Sequence, residues 1–143
     1  MNNEQNIIHA SKAAEPVGLY PHARRVGNLL FLSGVGPREK GNPKIPGATY
    51  NEEGKIIDYD MATQVHSVFR NVREVLEASG AKWEDLVDVT VFLTNMERDF
   101  KVYNQIWAEY FKDVQACRTT LEINCLPTPI AIELKCIAVL PNE

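Results

Sequence analysis

Paired histidines, paired thiols and runs of positive charge are all missing from this 143-residue sequence, and each absence removes a class of function. The three cysteines, Cys117, Cys125 and Cys136, form neither a C-x-x-C pair nor an even set. Neither a zinc ribbon nor a disulfide-stapled secreted fold is supported. The three histidines, His9, His22 and His66, show no metal-ligand spacing. No G-x-S-x-G frame surrounds Ser33, and the glycines between residues 34 and 54 fit neither a P-loop nor a G-x-G-x-x-G fingerprint. Covalent serine chemistry and nucleotide chemistry therefore lack a carrier. A net charge of −4 argues against nucleic acid as a partner, because gripping a phosphate backbone calls for a clustered cationic face. No segment approaches the ~18 consecutive apolar residues of a membrane helix, and the start, MNNEQNIIHASKAAEP, lacks the apolar core of a secretory signal. The expectation is a cytoplasmic protein with reduced thiols and no membrane partner.

What is present is the make-up of one ordinary globular domain, with 45% hydrophobic and 24% charged residues. The whole chain, 1–143, reads as a single domain with a polar lead over residues 1–17. HARRVGNLLFLSG predicts a hairpin turning at Gly27-Asn28, with Gly34 ending its second strand. Residues 36–59 hold four glycines and three prolines among charges, which predicts a long loop with one short strand at Lys55 to Asp58. Loops of this length are often functional. Met61, Val65, Val68, Phe69, Val72, Val75 and Leu76 recur at helical spacing between a capping Asp60 and a terminating Gly80. LVDVTVFLT then alternates as a strand, with Val87, Val89, Val91 and Leu93 on one face. A second helix is predicted from about Asp99 to Phe111, and its stripe of Phe100, Tyr103, Ile106, Trp107 and Tyr110 reads as core. The end predicts two strands, TTLEINC and IAIELKCIAV, parted by Leu126-Pro127-Thr128-Pro129, where neither proline can donate to a ladder. The order ββ(β)αβαββ implies an α+β sandwich, with about six strands in a mixed sheet and two helices on one face. Both alternating sets of the last strand are mostly apolar, so the second face is expected to be covered by another copy of the chain.

Charge within CRTTLEINCLPTPIAIELK is the main chemical signal, because an isolated buried charge costs several kcal/mol. Arg118 opens a strand and is followed by Thr119 and Thr120; a guanidinium there is suited to grip a carboxylate bidentately. The structural alternative is a salt bridge to Glu122 or Glu133. Glu133 lies between Ile132 and Leu134 and must leave its strand on the opposite face from theirs, into a site or an interface ion pair. In a site, its carboxylate can hold a water and pass protons.

The segments GLYPHARRVGNLLFLSG, NVREVLEASGAKWEDLVDVTVFLTNMERDFKVYNQIWAEYF and CRTTLEINCLPTPIAIELKCIAV resemble the RidA (YjgF-type) reactive intermediate deaminase family. The resemblance runs from Gly18 to Val139. Its most specific parts are Ser33-Gly34 after the hairpin, A-S-G-A after the first helix, VFLTNM, R-x-x-x-E-x-x-x-L-P and I-E-L-K. It implies a chorismate-mutase-like fold, a homotrimer whose sheets form a central barrel, and ligand sites in the clefts between subunits. It also implies cofactor-independent hydrolysis of enamines and imines to a 2-keto acid and ammonia, with no metal. By position, Arg118 would bind the substrate carboxylate, Glu133 would position the attacking water, and the backbone at Thr120 would accept a hydrogen bond. Tyr20, Ser33, Gly34 and Asn104 would line the cleft.

Two features depart from the archetype. Thr120 stands where many members carry cysteine, which leaves the backbone carbonyl available. The segment between Gly34 and the first helix is longer and, with YPHARRVGN and GATYNEEGKIIDYDMATQ, is similar to the 2-aminomuconate deaminase branch, whose enzymes convert 2-aminomuconate to 4-oxalocrotonate. On charge alone, Arg38 and Lys44 of that loop could meet a second carboxylate. A histidine-containing turn associated with that branch is here Leu126-Pro127-Thr128-Pro129-Ile130. The alternatives are a general 2-iminobutanoate/2-iminopropanoate deaminase and a non-catalytic keto-acid-binding trimer. A ribonuclease role, also attached to the family, finds no basic run or histidine pair to support it.

Overall fold

Asp60 caps the first helix as its position predicts: its Oδ2 accepts from the Thr63 amide at 3.1 Å. In the computed structural model, which describes residues 6–141, this helix is α1 (Met61–Ala78), and Gly80, at φ 80°, ends it. The other elements are β1 (Ile7–Ile8), β2 (Ala23–Val26), β3 (Leu29–Leu32), β4 (Ala48–Tyr50), β5 (Ile56–Tyr59), β6 (Leu86–Leu93), α2 (Met96–Phe111), β7 (Cys117–Glu122) and β8 (Ile132–Val139). Helix α2 starts three residues before the expected Asp99, because Asn95 Oδ1 accepts from the Arg98 amide at 3.0 Å and Glu122 Oε1 takes the Met96 amide at 2.8 Å. Residues 1–5 of the polar lead lie outside the described residues.

Six strands form one mixed sheet in the order β1-β2-β3-β8-β6-β7, and β4 pairs only with β5. Neighbours in the large sheet are antiparallel except β6 and β7, the pair joined through α2. Both helices pack on one face, as expected. Val65, Val68, Phe69 and Val72 of α1 meet Val89, Val91, Leu93, Ile132, Leu134 and Cys136 in one buried cluster. Phe69 is its aromatic centre, with ring centroids 4.7 Å from Tyr110, 5.7 Å from Trp83 and 5.8 Å from Phe111. The face away from the helices keeps apolar groups in view of solvent, among them Val26, Leu29 and Val139.

Several local expectations need correction. Val87 is not on the core face: the β6–β8 register shifts between Leu86 and Asp88, so Leu86 is buried and Val87 is 38% exposed. Phe100 of the aromatic stripe is 37% exposed. Strand β7 starts at Cys117 and stops at Glu122, and β8 begins at Ile132. The long loop holds a complete hairpin, β4–β5, rather than one strand, with a bulge between Thr49 and Tyr50. Part of the polar lead also pairs as a strand, β1 against β2.

These added segments are tied down by side chains. Asn71 of α1 donates to the carbonyls of Gly36 and Arg38 at 2.9 and 2.7 Å. The lead is held in turn by the loop, since Lys40 donates to the Ser11 carbonyl and Arg38 to that of Glu15. His22 accepts from the Ala10 amide through Nδ1 at 2.9 Å, which leaves Nε2 to donate to the Ala14 carbonyl at 2.8 Å. The hairpin docks on α2 through Tyr59, whose hydroxyl donates to Asp99 Oδ2 at 2.5 Å, and through Arg98, which donates to Asp58 at 2.8 Å and stacks on the Tyr59 ring. No helix among the described residues is long and apolar enough to cross a membrane.

Burial drives the Tyr59 phenol up to about 12 and raises the Asp99 carboxyl above the usual carboxylate range, against the pull of Tyr59 and Arg98. Tyr59→Phe removes the donor from a buried carboxylate and should lower unfolding free energy by about 1–3 kcal/mol. Asp99 then rises further, so the deficit should grow with pH as the carboxylate must ionise and shrink in acid, where protonation relieves it. Urea unfolding of both forms between pH 5 and pH 8 measures this; a deficit that is absent or independent of pH would contradict it.

Candidate functional site

Strand β7 is the edge of the sheet, with β6 on one side only. The Ile123 amide donates to the Leu93 carbonyl at 2.9 Å. By the two-residue alternation of a strand, residues 117, 119 and 121 turn their backbone groups towards β6, while Arg118 and Thr120 turn theirs to the open edge. Their side chains lean to the helix face, because Arg118 is level with Val89 and Thr120 with Val91, both core residues. Arg118 Nη1 donates to Asn104 Oδ1 at 2.8 Å. The guanidinium lies over the rings of Trp107, Tyr103 and Phe100, at 5.0, 5.3 and 5.9 Å from their centroids. Beside it, Tyr103 Oη and Thr120 Oγ1 are 2.9 Å apart.

The salt-bridge alternative for Arg118 is not realised among the described residues, since Glu122 caps α2 instead. The guanidinium is thus held by neutral partners, rings and an amide oxygen, with N–H groups to spare. Such an arrangement fixes the fork without neutralising it and suits a bidentate carboxylate ligand.

Glu133 sits in β8 between the buried Ile132 and Leu134 and pairs with Phe92, so its carboxylate leaves on the face away from the helices. It is half-buried and has neither a hydrogen-bond donor nor an ion-pair partner among the described residues, and burial pushes its carboxyl above the usual range. Gly34 explains how the group fits: a Cβ there would lie 2.7 Å from Glu133 Oε2. Gly34 also lines a cavity of about 50 Å³ with Tyr20, His22, Ser33 and Arg38. Ser33 Oγ donates to the Pro21 carbonyl at 2.7 Å. Arg38 reaches this cavity while holding the Glu15 carbonyl at 2.8 Å. Lys44 stands elsewhere on the loop, 5.6 Å over the Tyr50 ring.

The predicted residues therefore form two groups. Arg118, Thr120 and Asn104 come together at the β7 edge; Tyr20, Ser33, Gly34 and Arg38 line one cavity, of which Gly34 lies against Glu133. The chain does not bring the groups together, because Arg118 and Glu133 leave opposite faces of one sheet. Sequence reasoning missed Phe100, Tyr103 and Trp107 as the bed of Arg118. Their spacing beside Asn104 on one helix was the available signal, but such a stripe also describes core. It missed Lys135 too, which shares the Glu133 face by alternation and donates to the Leu32 carbonyl, and whose amine burial pushes down. Among the described residues no cluster of three or more His, Cys, Asp and Glu side chains could hold a metal. Cys117 and Cys125 are exposed, and Cys136 is buried with its thiol pushed up to about 12.

The chain is similar to known proteins over most of its length. The family model described as endoribonuclease L-PSP matches residues 10–140. Reactive Intermediate Deaminase A, a chloroplastic protein of Arabidopsis thaliana, is 34% identical over 137 residues, covering 96% of this chain and 67% of that protein. The 2-iminobutanoate/2-iminopropanoate deaminase of Dermatophagoides farinae is 31% identical over 137 residues, covering 95% and 97%. The crystal structure of the YjgF gene product of E. coli superposes with a TM-score of 0.77 at 28% identity, over 93% of this chain and 97% of that one.

Because only a hydrogen at Gly34 leaves room for the Glu133 carboxyl, Gly34→Ala should push that group towards solvent without unfolding the sheet. The Glu133 carboxyl, followed by NMR, should then titrate at lower pH than in the wild type, since exposure relieves the burial that raises it. The melting temperature should hardly move. An unchanged titration would show that the close approach does not set the carboxyl's surroundings.

Proposed function

The chain belongs to the endoribonuclease L-PSP family, and we propose on that premise that it is a cofactor-independent deaminase hydrolysing enamine and imine acids to 2-keto acids and ammonia. The observation that carries this reading is the Arg118 guanidinium, fixed on aromatic rings at an open strand edge with no carboxylate of its own. The two relatives named as deaminases of reactive intermediates and of 2-iminobutanoate support it.

Chemically, the site has little to supply. An iminium carbon is already electrophilic, so the protein needs to hold the acid group, place a water and move one proton. Arg118 grips the carboxylate. Glu133, as carboxylate, takes a proton from the attacking water as the new C–O bond forms. It returns that proton to the amine nitrogen; as the C–N bond breaks, the hydroxyl proton passes from the new oxygen through Glu133 to the departing ammonia, leaving the 2-keto acid and ammonium. Enamines enter after protonation at carbon, which gives the imine.

A site that uses both Arg118 and Glu133 needs two copies of the chain, because one copy holds them on opposite faces of its sheet. The proposed assembly is a homotrimer in which the β7 edge of one copy meets the Glu133 group of the next, with Tyr20, Ser33 and Gly34 in the wall. The apolar outer face at Val26, Leu29 and Val139 supports such a contact. A finer reading takes 2-aminomuconate as substrate and 4-oxalocrotonate as product. Arg38 is the candidate for the second carboxylate, since it reaches the Gly34 cavity; Lys44, over Tyr50, has no such position. The reading as a non-catalytic keto-acid binder gives no task to a half-buried carboxylate without a partner.

The test is the clearance of freshly generated 2-iminobutanoate and of 2-aminomuconate, followed with ammonia release. Arg118→Ala should slow the preferred substrate by about 10–100-fold, the loss expected for a charge-assisted bond. Faster clearance of 2-aminomuconate supports the finer reading, clearance of the iminobutanoate alone supports a general deaminase, and clearance of neither favours the keto-acid binder.

A pH profile gives a second check. Glu133 must be ionised to take the proton, and burial raises its carboxyl. Activity should therefore fail, as pH drops, at a higher pH than an ordinary glutamate near ~4.3 would dictate. Glu133→Gln should lose that limb and run about 100-fold or more slower throughout.

A further inference from the structure

Tyr103 is fully buried, yet its phenol oxygen meets a polar side chain of the β7 edge. Thr120 Oγ1 lies 2.9 Å away, and the Arg118 guanidinium lies over the phenol ring, 5.3 Å from its centroid. Counting protons fixes the direction of this bond. A phenol carries one proton and can either give it or receive another. The phenol's single proton then needs an acceptor, and a buried O–H without one is costly. Thr120 Oγ1 is the acceptor in reach, so Tyr103 donates to it. The hydroxyl proton of Thr120 cannot also point at Tyr103 and is turned away from it. Thr120 is half-buried, on the same strand face as Arg118 and two residues along, with its backbone at the open edge.

We propose that the Thr120 hydroxyl is a second donor to the bound carboxylate beside Arg118, and that Tyr103 is the positioning residue that aims it. Tyr103, Thr120 and the ligand oxygen form one directional series beside the Arg118 cation, and each bond polarises the next. Tyr103 itself stays out of reach of the ligand. The class selected is a planar acid whose carboxylate spans the guanidinium and the hydroxyl, as a 2-imino or 2-keto acid does. This rests on the Arg118 edge being the carboxylate site of the proposed reaction.

The test separates binding from turnover. Titration calorimetry with 2-oxobutanoate, the keto acid that hydrolysis of 2-iminobutanoate leaves, should show Thr120→Val binding about tenfold more weakly than wild type and Thr120→Ser within about twofold. Tyr103→Phe keeps the ring under Arg118 and should weaken binding by several-fold, but by little when Thr120→Val is already present, because it acts through that hydroxyl. Equal losses for Tyr103→Phe in both backgrounds would make it merely structural and overturn the assignment, as would unimpaired binding by Thr120→Val or a wild type that does not bind the keto acid. If the expected binding ratios appear and no imine is cleared, the deaminase reading fails while the donor assignment stands. If the imine is cleared and Thr120→Val is unimpaired in both assays, only the donor assignment falls.

Discussion

Side chains on a β-strand leave alternate faces of the sheet, and this simple rule sets the terms for the chemistry of the chain. Arg118, level with Val89, leaves on the helix face; Glu133, level with Phe92, leaves on the other. No rotamer change brings them together, because a packed sheet lies between. The separation has an advantage for each group. The guanidinium is kept from a carboxylate that would neutralise it, and the carboxylate from a cation that would pull its proton affinity down. Each stays available for a ligand because the fold denies it the obvious partner.

Around these two groups the fold spends its specific interactions on rigidity. Three rings and one amide oxygen fix Arg118. The missing side chain at Gly34 makes space for Glu133. The lead segment, the long loop and α1 hold one another through His22, Arg38, Lys40 and Asn71, each bonded to a backbone carbonyl. Side-chain donors on main-chain acceptors are what irregular segments need, since they have no ladder to satisfy those groups. The wall of the Gly34 cavity is therefore built from loops and yet anchored on the core through a helix.

Much of the fold was legible in the sequence because its signals were local. Asp60 and Gly80 bracket α1, Gly27-Asn28 marks the hairpin, and the charges of Arg118 and Glu133 stand out from apolar strands. What was not legible depended on pairing. The bulge that exchanges Val87 for Leu86 shifts the register without changing composition. The β4–β5 hairpin lies in a segment whose prolines and glycines read as loop, and it is held by Tyr59 and Arg98 against a helix 40 residues distant in sequence. Tyr103 looked like core and is core by burial; its hydroxyl matters only because α2 crosses over to the strand that carries Thr120. Which groups share a face became visible only once β6 was known to lie between β7 and β8.

The open edge of β7 has a consequence for the newly made chain. Unpaired strand edges are templates for indiscriminate strand addition, and natural sheets blunt them with short length and charge. Strand β7 is six residues long and carries Arg118 near one end and Glu122 at the other. Arg118, the proposed carboxylate-binding residue, thus also guards the open edge, so the demands of staying in solution and of the proposed binding fall on one side chain.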